Sequence, residues 1–287
     1  MCKLSCPYCK TQKIHRKGRY FIKFSRSFKK RYQCSLCLKT FSQQTLTPTY
    51  RQKKPYLNCI INSDLVSGLS QRHIARRLNI SRKTVDLKLL WLSLNSVEDL
   101  NTKYSGHILQ IDEMETIEHT KLKPLTIPLC VTSNYEILGI TVGQIPAKGF
   151  LAELSFKKYG YRENERLVAL RRLFSEVQAK LIAPPEVIIT DEAPIYTSLI
   201  KEYFPQSVHK TINSRRQVEK KREQVYSSER KKTFDPMFAL NQRCAKLRDH
   251  VKRLARRNWC TTKKSKNLER HLKLYQFWNN QHLPLKS

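Results

Sequence analysis

The charged residues of this chain are segregated along its length, and no other feature constrains the fold as strongly. The first 63 residues hold 15 Lys and Arg and no acidic residue, residues 106–200 hold 12 acidic and 10 basic residues, and residues 201–287 hold 23 basic and 7 acidic residues. The formal net charge is +32, and a folded protein with that charge needs a polyanionic partner or surface. We therefore expect a nearly neutral enzyme core between two segments that bind nucleic acid.

Composition excludes several other classes of protein. Hydrophobic residues make up 40% of the chain, too many for a disordered polyelectrolyte. No run of about 18 apolar residues occurs, so we expect no membrane span. The N-terminus lacks the apolar centre of a secretion signal. Nine cysteines, an odd number in clustered pairs, favour metal binding in a reduced, cytoplasmic compartment over a disulfide framework.

Two Cys-x-x-Cys pairs near the N-terminus predict a zinc site. They are Cys6 with Cys9 and Cys34 with Cys37. Each pair supplies two thiolates from one tight turn, and two such turns complete a tetrahedral zinc site. The residues between the pairs alternate like the strands of a zinc ribbon, which we predict over residues 1–45. Its basic loop, residues 10–30, is expected to contact DNA phosphates. Redox-active or unpaired cysteines are the alternative interpretation.

Residues 65–92 predict a helix-turn-helix within a DNA-binding domain at 55–100. Ser70 and Ser81 are N-cap residues that flank a turn at Asn79. The apolar residues of the second helix then face inward, and its polar residues face outward, where a recognition helix contacts the major groove. These outward residues are Arg82, Lys83, Thr84 and Lys88. An ordinary helical hairpin with a solvated basic face is the alternative.

The middle of the chain alternates strands and helices and carries two aspartates at strand ends. We predict strands at 107–115, 125–132 and 137–142, a helix at 163–181, a strand at 186–191 and a helix at 195–204. The first of these strands ends in an acidic cluster that starts at Asp112, which we take as its terminal aspartate, and Asp191 ends the fourth. The order is that of a ribonuclease H-like core, an α/β fold with a mixed sheet and helices, which we predict over 106–280 with a basic insert around 213–232.

In a ribonuclease H-like sheet, Asp112 and Asp191 would lie side by side. Two carboxylates that close repel one another unless a divalent cation lies between them. A pair of Mg²⁺ or Mn²⁺ ions can activate the attacking oxygen and stabilise the leaving oxygen of a phosphodiester. Aspartates at strand ends are common, so the order of the strands carries much of this prediction.

The order of zinc ribbon, helix-turn-helix and ribonuclease H-like core resembles the bacterial insertion-sequence transposases of the DDE class, notably the insertion sequence one family and its relatives. The local likeness is strongest over residues 240–257 and 263–268. The resemblance implies that Asp112 and Asp191 are the catalytic aspartates of a Mg- or Mn-dependent enzyme of DNA transposition and recombination. It also implies terminal inverted repeats and target DNA as partners, a homo-oligomer on the DNA, and a bacterial, nucleoid-associated location.

The third acidic residue of that family has no counterpart in this sequence. Asn241 takes its place, as in some relatives. On a helix of about 100° per residue, Asn241 lies beside Arg248 on the flank of an apolar stripe, and Asp249 faces solvent. An amide oxygen can bind Mg²⁺, although more weakly than a carboxylate. A helix cap or a surface polar residue is the alternative for Asn241.

The remaining candidates are charged residues with two interpretations each. Arg215, Arg216 and Arg248 would contact the DNA backbone, or belong to solvated faces. Glu113, Glu115 and Glu192 would tune the charge of the aspartates, or merely face water. The resulting hypothesis is a transposase that binds terminal repeats, cleaves DNA and transfers the strands. The alternatives are a catalytically decayed DNA-binding regulator and a ribonuclease H-like nuclease.

Overall fold

The computed structural model of the protein describes residues 4–22, 26–98, 104, 107–212, 235–255, 260 and 262–283. The chain forms two compact units that divide at residue 58. The basic insert around 213–232 lies outside the described residues. The three-domain division at 1–45, 55–100 and 106–280 stays a prediction. None of the described helices combines the length and apolarity that a membrane crossing requires.

The N-terminal unit is a small antiparallel sheet. Its strands are β1 (Ile14–Ile22), β2 (Ser27–Cys34) and β3 (Thr40–Ser42), in that order, followed by a short 3₁₀ turn at Gln43–Leu46. The buried cluster of this unit consists of Cys6, Cys34 and Phe41. A core this small does not stabilise a domain, so this unit depends on another source of folding energy.

Three helices begin the second unit. They are α1 (Leu57–Val66), α2 (Gln71–Arg77) and α3 (Arg82–Glu98). Ser70 caps α2 by accepting a hydrogen bond from the backbone of His73 at 3.2 Å, and Ser81 caps α3 by accepting one from Thr84 at 3.1 Å. Asn79 makes the turn between them with a φ of 48°, a left-handed conformation that Asn tolerates. The predicted pair of helices is therefore present.

A mixed sheet forms the centre of the second unit. Its strands are β4 (Ile108–Ile117), β5 (Pro124–Thr132), β6 (Ile137–Ile140), β7 (Gly143–Gln144), β8 (Val187–Asp191) and β9 (Val208–Ile212). The strand order is β6-β5-β4-β8-β9, and β7 pairs with β5. β4, β5 and β6 are antiparallel, whereas β4, β8 and β9 are parallel. The predicted mixed sheet with helices is confirmed.

Five further helices of the described residues accompany the sheet. They are α4 (Leu151–Tyr159), α5 (Arg166–Lys180), α6 (Pro194–Tyr203), α7 (Phe238–His250) and α8 (Ser265–Gln281). Residues of α5 and α6 pack with Leu109, Ile111 and Ile188 in one apolar core. The helix α4 was not predicted; its buried residue is Ser155, whereas its apolar residues Leu154 and Phe156 are exposed.

Helices α7 and α8 are tied to the sheet by amide side chains. The Gln110 side chain donates to the carbonyl of Pro236 and accepts from the backbone of Leu240, both at 2.8 Å. On α8, the side chain of Asn280 accepts from the backbone N–H of Ile137 at 2.9 Å and donates to its carbonyl at 3.0 Å. Because Ile137 lies on the edge strand β6, these bonds satisfy backbone groups that the sheet leaves unpaired.

The helices α2 and α3 pack against the C-terminal helices. The side chain of Gln71 lies 3.5 Å from His271 of α8, and His250 of α7 lies 2.8 Å from the carbonyl of Val66. A Cβ at Gly68, whose φ is 78°, would lie 2.8 Å from the carbonyl oxygen of Asp249. This close approach requires glycine. The helix pair is thus part of the same unit as the sheet.

Candidate functional site

Asp112 and Asp191 lie at matching positions on neighbouring parallel strands. β4 pairs with β8 as far as Gln110 and Ile189, and the same register continued by two residues places Asp112 beside Asp191. Because side chains alternate between the two faces of a sheet, both aspartates point to the face of Gln110, which α7 covers. The aspartates predicted from two distant segments are therefore brought together.

The prediction that Asp112 ends its strand is wrong. β4 continues to Ile117, because β5 pairs with it along this whole length, up to Ile117 with Pro124. Its pairing with β8 stops at Gln110. Asp112 therefore lies where the two strands separate, whereas Asp191 is the last residue of β8.

The two carboxylates are crowded and partly desolvated. Burial, together with the neighbouring Asp191 carboxylate, raises the pKa of Asp112 to about 6. One oxygen of each group is held by the backbone: Glu113 donates to Asp112 Oδ1 at 2.7 Å, and Ala193 donates to Asp191 Oδ1 at 3.1 Å. The second oxygen of each has no hydrogen-bond partner among the described residues. This is the donor set that a hard divalent cation takes.

Glu113 does not face water, and its carboxylate contributes to the raised pKa of Asp112. It lies on the opposite face of β4 from Asp112, and its side chain is 11% exposed. Arg166 of α5 donates from Nε to both carboxylate oxygens at 2.9 Å, and the hydroxyl of Thr126 donates at 2.8 Å. Tyr196 of α6 lies 3.4 Å away. Glu113 thus joins β4 to the helices beneath the site.

The other two acidic candidates face solvent. Glu115 pairs with Lys148 at 2.9 Å, and both side chains are mostly exposed. Glu192 is exposed next to Asp191. An exposed pair of this kind contributes little to stability. For these two residues, the interpretation that they face water agrees with the structure.

Asn241 lies at the start of α7, on the side of the sheet that the aspartates face. It is exposed, on the flank of the buried stripe that contains Leu240 and Cys244, as expected. Burial raises the pKa of Cys244 to about 12, with a further contribution from the Asp112 carboxylate, so this part of α7 lies beside Asp112. The Nδ2 of Asn241 donates to Asp235 Oδ2 at 2.9 Å.

Asp235 is a residue that the sequence did not single out. Its Oδ1 accepts the backbone N–H of Met237 at 3.0 Å, as in an Asx turn just ahead of α7. The next residue, Pro236, is bonded to Gln110, two positions from Asp112 on the same face. The signal that could have found Asp235 is an acidic residue just ahead of the helix that carries Asn241.

The predicted DNA-binding residues of α3 divide into two groups. Arg82 and Lys83 are exposed, and Thr84 is half-buried. The prediction that Lys88 faces outward is wrong, since this residue is 3% exposed and burial lowers its pKa. Helix α3 packs against α8 as well as α2, so it has more than one covered face. Arg248 is half-buried near Cys244, and Arg215 and Arg216 lie outside the described residues.

The four predicted zinc ligands form one cluster. Their Sγ atoms lie within 4.8 Å of one another, with Cys6 to Cys37 at 3.6 Å and Cys9 to Cys34 at 3.4 Å. Zinc–sulfur bonds of about 2.3 Å in a tetrahedron place sulfurs a little under ~4 Å apart. The backbone N–H groups of Cys37 and Leu36 donate to Cys34 Sγ and lower its pKa to about 6. The stabilised thiolate of Cys34 and the sulfur spacing both fit zinc, and Phe41 packs in this cluster.

Comparison with known proteins gives distant structural likenesses alone. No protein-family model and no curated protein matches the chain. The chain is similar to the catalytic core domain of HTLV-2 integrase in complex with magnesium, at 14% identity over 59% of this chain and 97% of that one, with a TM-score of 0.24.

Two larger assemblies also match the chain. The Mos1 strand transfer complex matches at 10% identity over 83% of this chain and 80% of that one, with a TM-score of 0.27. The intasome of simian T-cell lymphotropic virus, in complex with PP2A regulatory subunit B56 gamma, matches at 15% identity over 79% and 74%, with a TM-score of 0.27. These neighbours are integrases and a transposase, and at such low scores they assign neither family nor activity to this chain.

Proposed function

We propose that this protein is a DNA transposase of the DDE class, which binds the ends of its element, cleaves DNA and transfers the strands. The observation that carries the proposal is the pair Asp112 and Asp191, side by side on one face of a mixed sheet with the ribonuclease H-like strand order. A desolvated carboxylate pair suits the metal-dependent chemistry of phosphodiesters. The basic flanks of the chain suit a DNA substrate.

The aspartates would hold Mg²⁺ or Mn²⁺ through the oxygens that the backbone leaves free. When bound, such ions activate an attacking oxygen and stabilise the leaving oxygen of a phosphodiester. Asp112 and Asp191 are each fixed by one backbone N–H, so the site is organised before a cation enters. The ion pair between Glu113 and Arg166 holds β4 against α5 and keeps Asp112 in position.

Asn241 would complete the site with its amide oxygen. Because its Nδ2 is bonded to Asp235, the oxygen of the amide remains available for another partner. An amide lacks the formal charge of the glutamate that the DDE class carries, so we expect weaker binding of the second cation. In this proposal Asp235 is a positioning residue for Asn241.

The remaining parts of the proposal concern DNA. Arg82, Lys83 and Thr84 at the start of α3 would contact the terminal repeats, and Arg248 together with Arg215 and Arg216 would contact the DNA backbone. The four clustered cysteines would hold a structural zinc ion. The active form would be a homo-oligomer on the DNA that also binds the target.

The central experiment measures Mg²⁺-dependent cleavage and joining of DNA that carries the ends of the element. We expect Asp112→Asn and Asp191→Asn to abolish both activities, because each removes a negative charge from the cation site. Binding of the same DNA, measured in parallel, should change little. Glu115→Gln and Glu192→Gln are matched controls, since both residues are exposed acids beside the site. Cleavage that survives either aspartate substitution contradicts the proposal.

Asn241 tests the third position. If Asn241 is a metal ligand, Asn241→Ala should remove most of the cleavage activity. Asn241→Glu should then retain this activity or strengthen its response to Mg²⁺. If Asn241 is only a surface residue, Asn241→Ala should cost no more than about 1 kcal/mol of stability and should leave cleavage intact. If Asn241 is a metal ligand positioned by Asp235, Asp235→Asn should lower the cleavage activity as Asn241→Ala does.

The second candidate is a DNA-binding regulator with a decayed catalytic domain, and the neutral residue at position 241 favours it. A wild-type protein that binds its own element ends and never cleaves them would support this candidate. Inverted repeats on either side of the gene would support the transposase, because a mobile element requires them. Cleavage of DNA regardless of its ends would instead indicate a nuclease.

A further inference from the structure

We propose that α4 is the surface through which two copies of this chain associate, with α4 of one copy antiparallel to α4 of the other. The inference gives a surface to the homo-oligomer of the proposed function, and it rests on that function in this respect alone. The helix belongs to the stretch 107–212, which the structure describes without a gap. Its residues take no part in the proposed catalytic or DNA contacts.

The segment that carries α4 leaves the sheet and returns to the same point. The backbone N–H of Glu165 donates to the carbonyl of Gln144 at 2.9 Å, and the backbone N–H of Gln144 donates to the Glu165 carboxylate at 2.9 Å. The guanidinium of Arg162 donates to the carbonyl of Pro124 at 3.2 Å and pairs with Glu118 at 3.3 Å. These bonds fix the segment, and α4 with it, on the surface of the second unit.

Helix α4 contributes little to the core of this unit. Its buried residue is Ser155, whose hydroxyl donates to the carbonyl of Leu122 at 2.7 Å. The ring of Tyr159 contacts the edge of the His119 ring, with 6.2 Å between the centroids. An isolated helix of this length is not stable in water, and helices in proteins are stabilised mainly by packing of an apolar face. The outer face of α4 is thus open to a partner.

That outer face carries large apolar side chains. Phe150, the N-cap residue, is 91% exposed, and Leu154, one turn further on, is 52% exposed. At about 100° per residue, Lys157 continues the same stripe. Tyr161, just beyond the helix, is 82% exposed. Single exposed apolar residues are common, but several of them on one helix face indicate an interaction surface.

The charges on this face indicate a second copy as the partner. Glu153 lies in the first turn of α4, and Lys157 lies in the last turn. Both are exposed, and neither forms an ion pair with another described residue. In an antiparallel pair, the first turn of one helix lies opposite the last turn of the other. Glu153 of each copy then faces Lys157 of the other copy, and two-fold symmetry forms both contacts at once.

A partner whose charges have a single sign fits this face less well. DNA phosphates would meet the like charge of Glu153, and a basic partner would meet the like charge of Lys157. Single-stranded DNA is held by rows of aromatic rings, whereas Leu154 in the middle of the stripe cannot stack with a base. A second copy of α4 satisfies both charges and covers the apolar residues.

The area of this face fits an association that DNA supports. A buried aromatic side chain covers about 150–250 Å², so Phe150, Leu154 and Tyr161 bring the total for two copies to about 1,000 Å², the lower limit of a specific interface. The formal net charge of +32 also makes two free copies repel one another. We therefore expect a weak dimer in solution that becomes stronger when one DNA molecule holds two copies.

The first experiment measures self-association of the full-length, zinc-loaded protein by sedimentation velocity over a range of protein concentrations. It uses no DNA, and salt screens the net charge. We expect the wild type to form dimers. Glu153→Lys and Lys157→Glu should each weaken the dimer about tenfold, because two attractive contacts become repulsive. An equal mixture of the two variants should restore association, since each variant then meets the opposite charge on the other.

This experiment separates paired charges from net charge. Lys157→Glu lowers the formal net charge from +32 to +30, so general repulsion alone would make this variant associate more strongly. The antiparallel pair predicts the opposite. Lys201→Glu, at an exposed lysine of α6, is the matched control and should not weaken the dimer. A wild type that stays monomeric, or a mixture that associates no better than its separate variants, would overturn the inference.

The second experiment changes the apolar residues of α4. Leu154→Arg should weaken the dimer at least about tenfold, because a charge replaces an apolar side chain at the centre of the interface. Phe156→Arg is the matched control: this residue is also exposed on α4, but lies about 160° from Leu154 around the helix axis. Its substitution should change association by less than about threefold. Equal losses in the two variants would overturn the inference, and thermal unfolding verifies the fold of each variant.

DNA as the occupant is tested in parallel with a duplex of arbitrary sequence in fluorescence anisotropy. We expect Lys157→Glu and Lys201→Glu to lower DNA affinity equally and slightly, through net charge. A larger loss for Lys157→Glu, with self-association unchanged, would overturn the inference in favour of DNA. None of these measurements uses element ends or cleavage, so their failure is distinct from the loss of the activity attributed to Asp112 and Asp191.

Discussion

The N-terminal unit buries Cys6, Cys34 and Phe41 in its cluster, whereas the core beneath α5 and α6 contains 14 buried residues. The first unit has 15 basic residues and no acid before Asp64, and the second contains every acidic residue of the chain. The small unit has little apolar core, and we expect a metal ion held by its four clustered cysteines to supply much of its folding free energy. The large unit is stabilised by its apolar core, which allows it to hold two carboxylates close together.

The contrast between a metal-stabilised N-terminal unit and a second unit stabilised by its apolar core would fail if the N-terminal unit folded without metal. We expect about one zinc ion per chain, and we expect Cys34→Ser or a strong chelator to unfold this unit while the second unit stays folded. The magnitude is large, since structural zinc supplies on the order of 10 kcal/mol of folding free energy. Metal analysis together with limited proteolysis measures both effects. Cys59→Ser, at an exposed cysteine outside the cluster, is the control, and a folded preparation without zinc would contradict the prediction.

The dependence of the second unit on its apolar core is tested at Phe174. This residue is fully buried between α5 and α6, where it contacts the rings of Tyr203 and Phe204. Phe174→Ala should lower the free energy of unfolding by about 3–5 kcal/mol, because it removes buried area and leaves a cavity. Urea denaturation measures the loss. Phe156→Ala, at an exposed aromatic residue of α4, should change it by less than about 0.5 kcal/mol.

A charged residue inside the apolar core sharpens the comparison further. Lys180 is buried at the end of α5, where its Nζ donates to the carbonyl of Leu138 at 2.6 Å. Burial lowers the pKa of Lys180 to about 8, from 10.5. The folded protein therefore loses this proton at a lower pH than the unfolded chain. The resulting penalty on stability is fully present below pH 8 and fades as the pH rises toward 10.5.

Lys180→Met should therefore stabilise the protein at pH 7. The side chain of Gln276 also donates to the Leu138 carbonyl, at 3.0 Å, so this carbonyl keeps a partner in the variant. We expect a gain of about 1–2 kcal/mol at pH 7, and a smaller difference from wild type at pH 10. Thermal denaturation at the two pH values measures this. A variant that is less stable at pH 7, or whose difference from wild type does not depend on pH, would contradict the assignment of the penalty to Lys180.

Several features of the site were predictable because their signals are local in sequence. A Cys-x-x-Cys turn needs four consecutive residues, and the two serine caps act on backbone groups three residues away or fewer. The alternation of side chains along β4 and β8, combined with the predicted order of the strands, was enough to predict that Asp112 and Asp191 lie side by side. The spacing of the apolar residues on α7 likewise predicted that Asn241 lies on the flank of the buried face of this helix.

The features that were not predictable depend on partners far away in the chain. The partners of Glu113 are Thr126, Arg166 and Tyr196, up to 83 positions away. Asp112 proved to be interior to its strand because β5 pairs further along β4 than β8 does. Lys88 follows the periodicity of an exposed face and is nevertheless buried.

The sequence by itself determined the cluster of four cysteines, the segregation of charge, most of the order of strands and helices, and the two aspartates, because spacing and side-chain periodicity express short-range geometry. The tertiary structure alone decided which face of α3 stays exposed and which acid pairs with Arg166. These outcomes depend on the packing of one element against another. A helix with one apolar stripe does not reveal in its sequence that a second helix, here α8, will cover another of its faces.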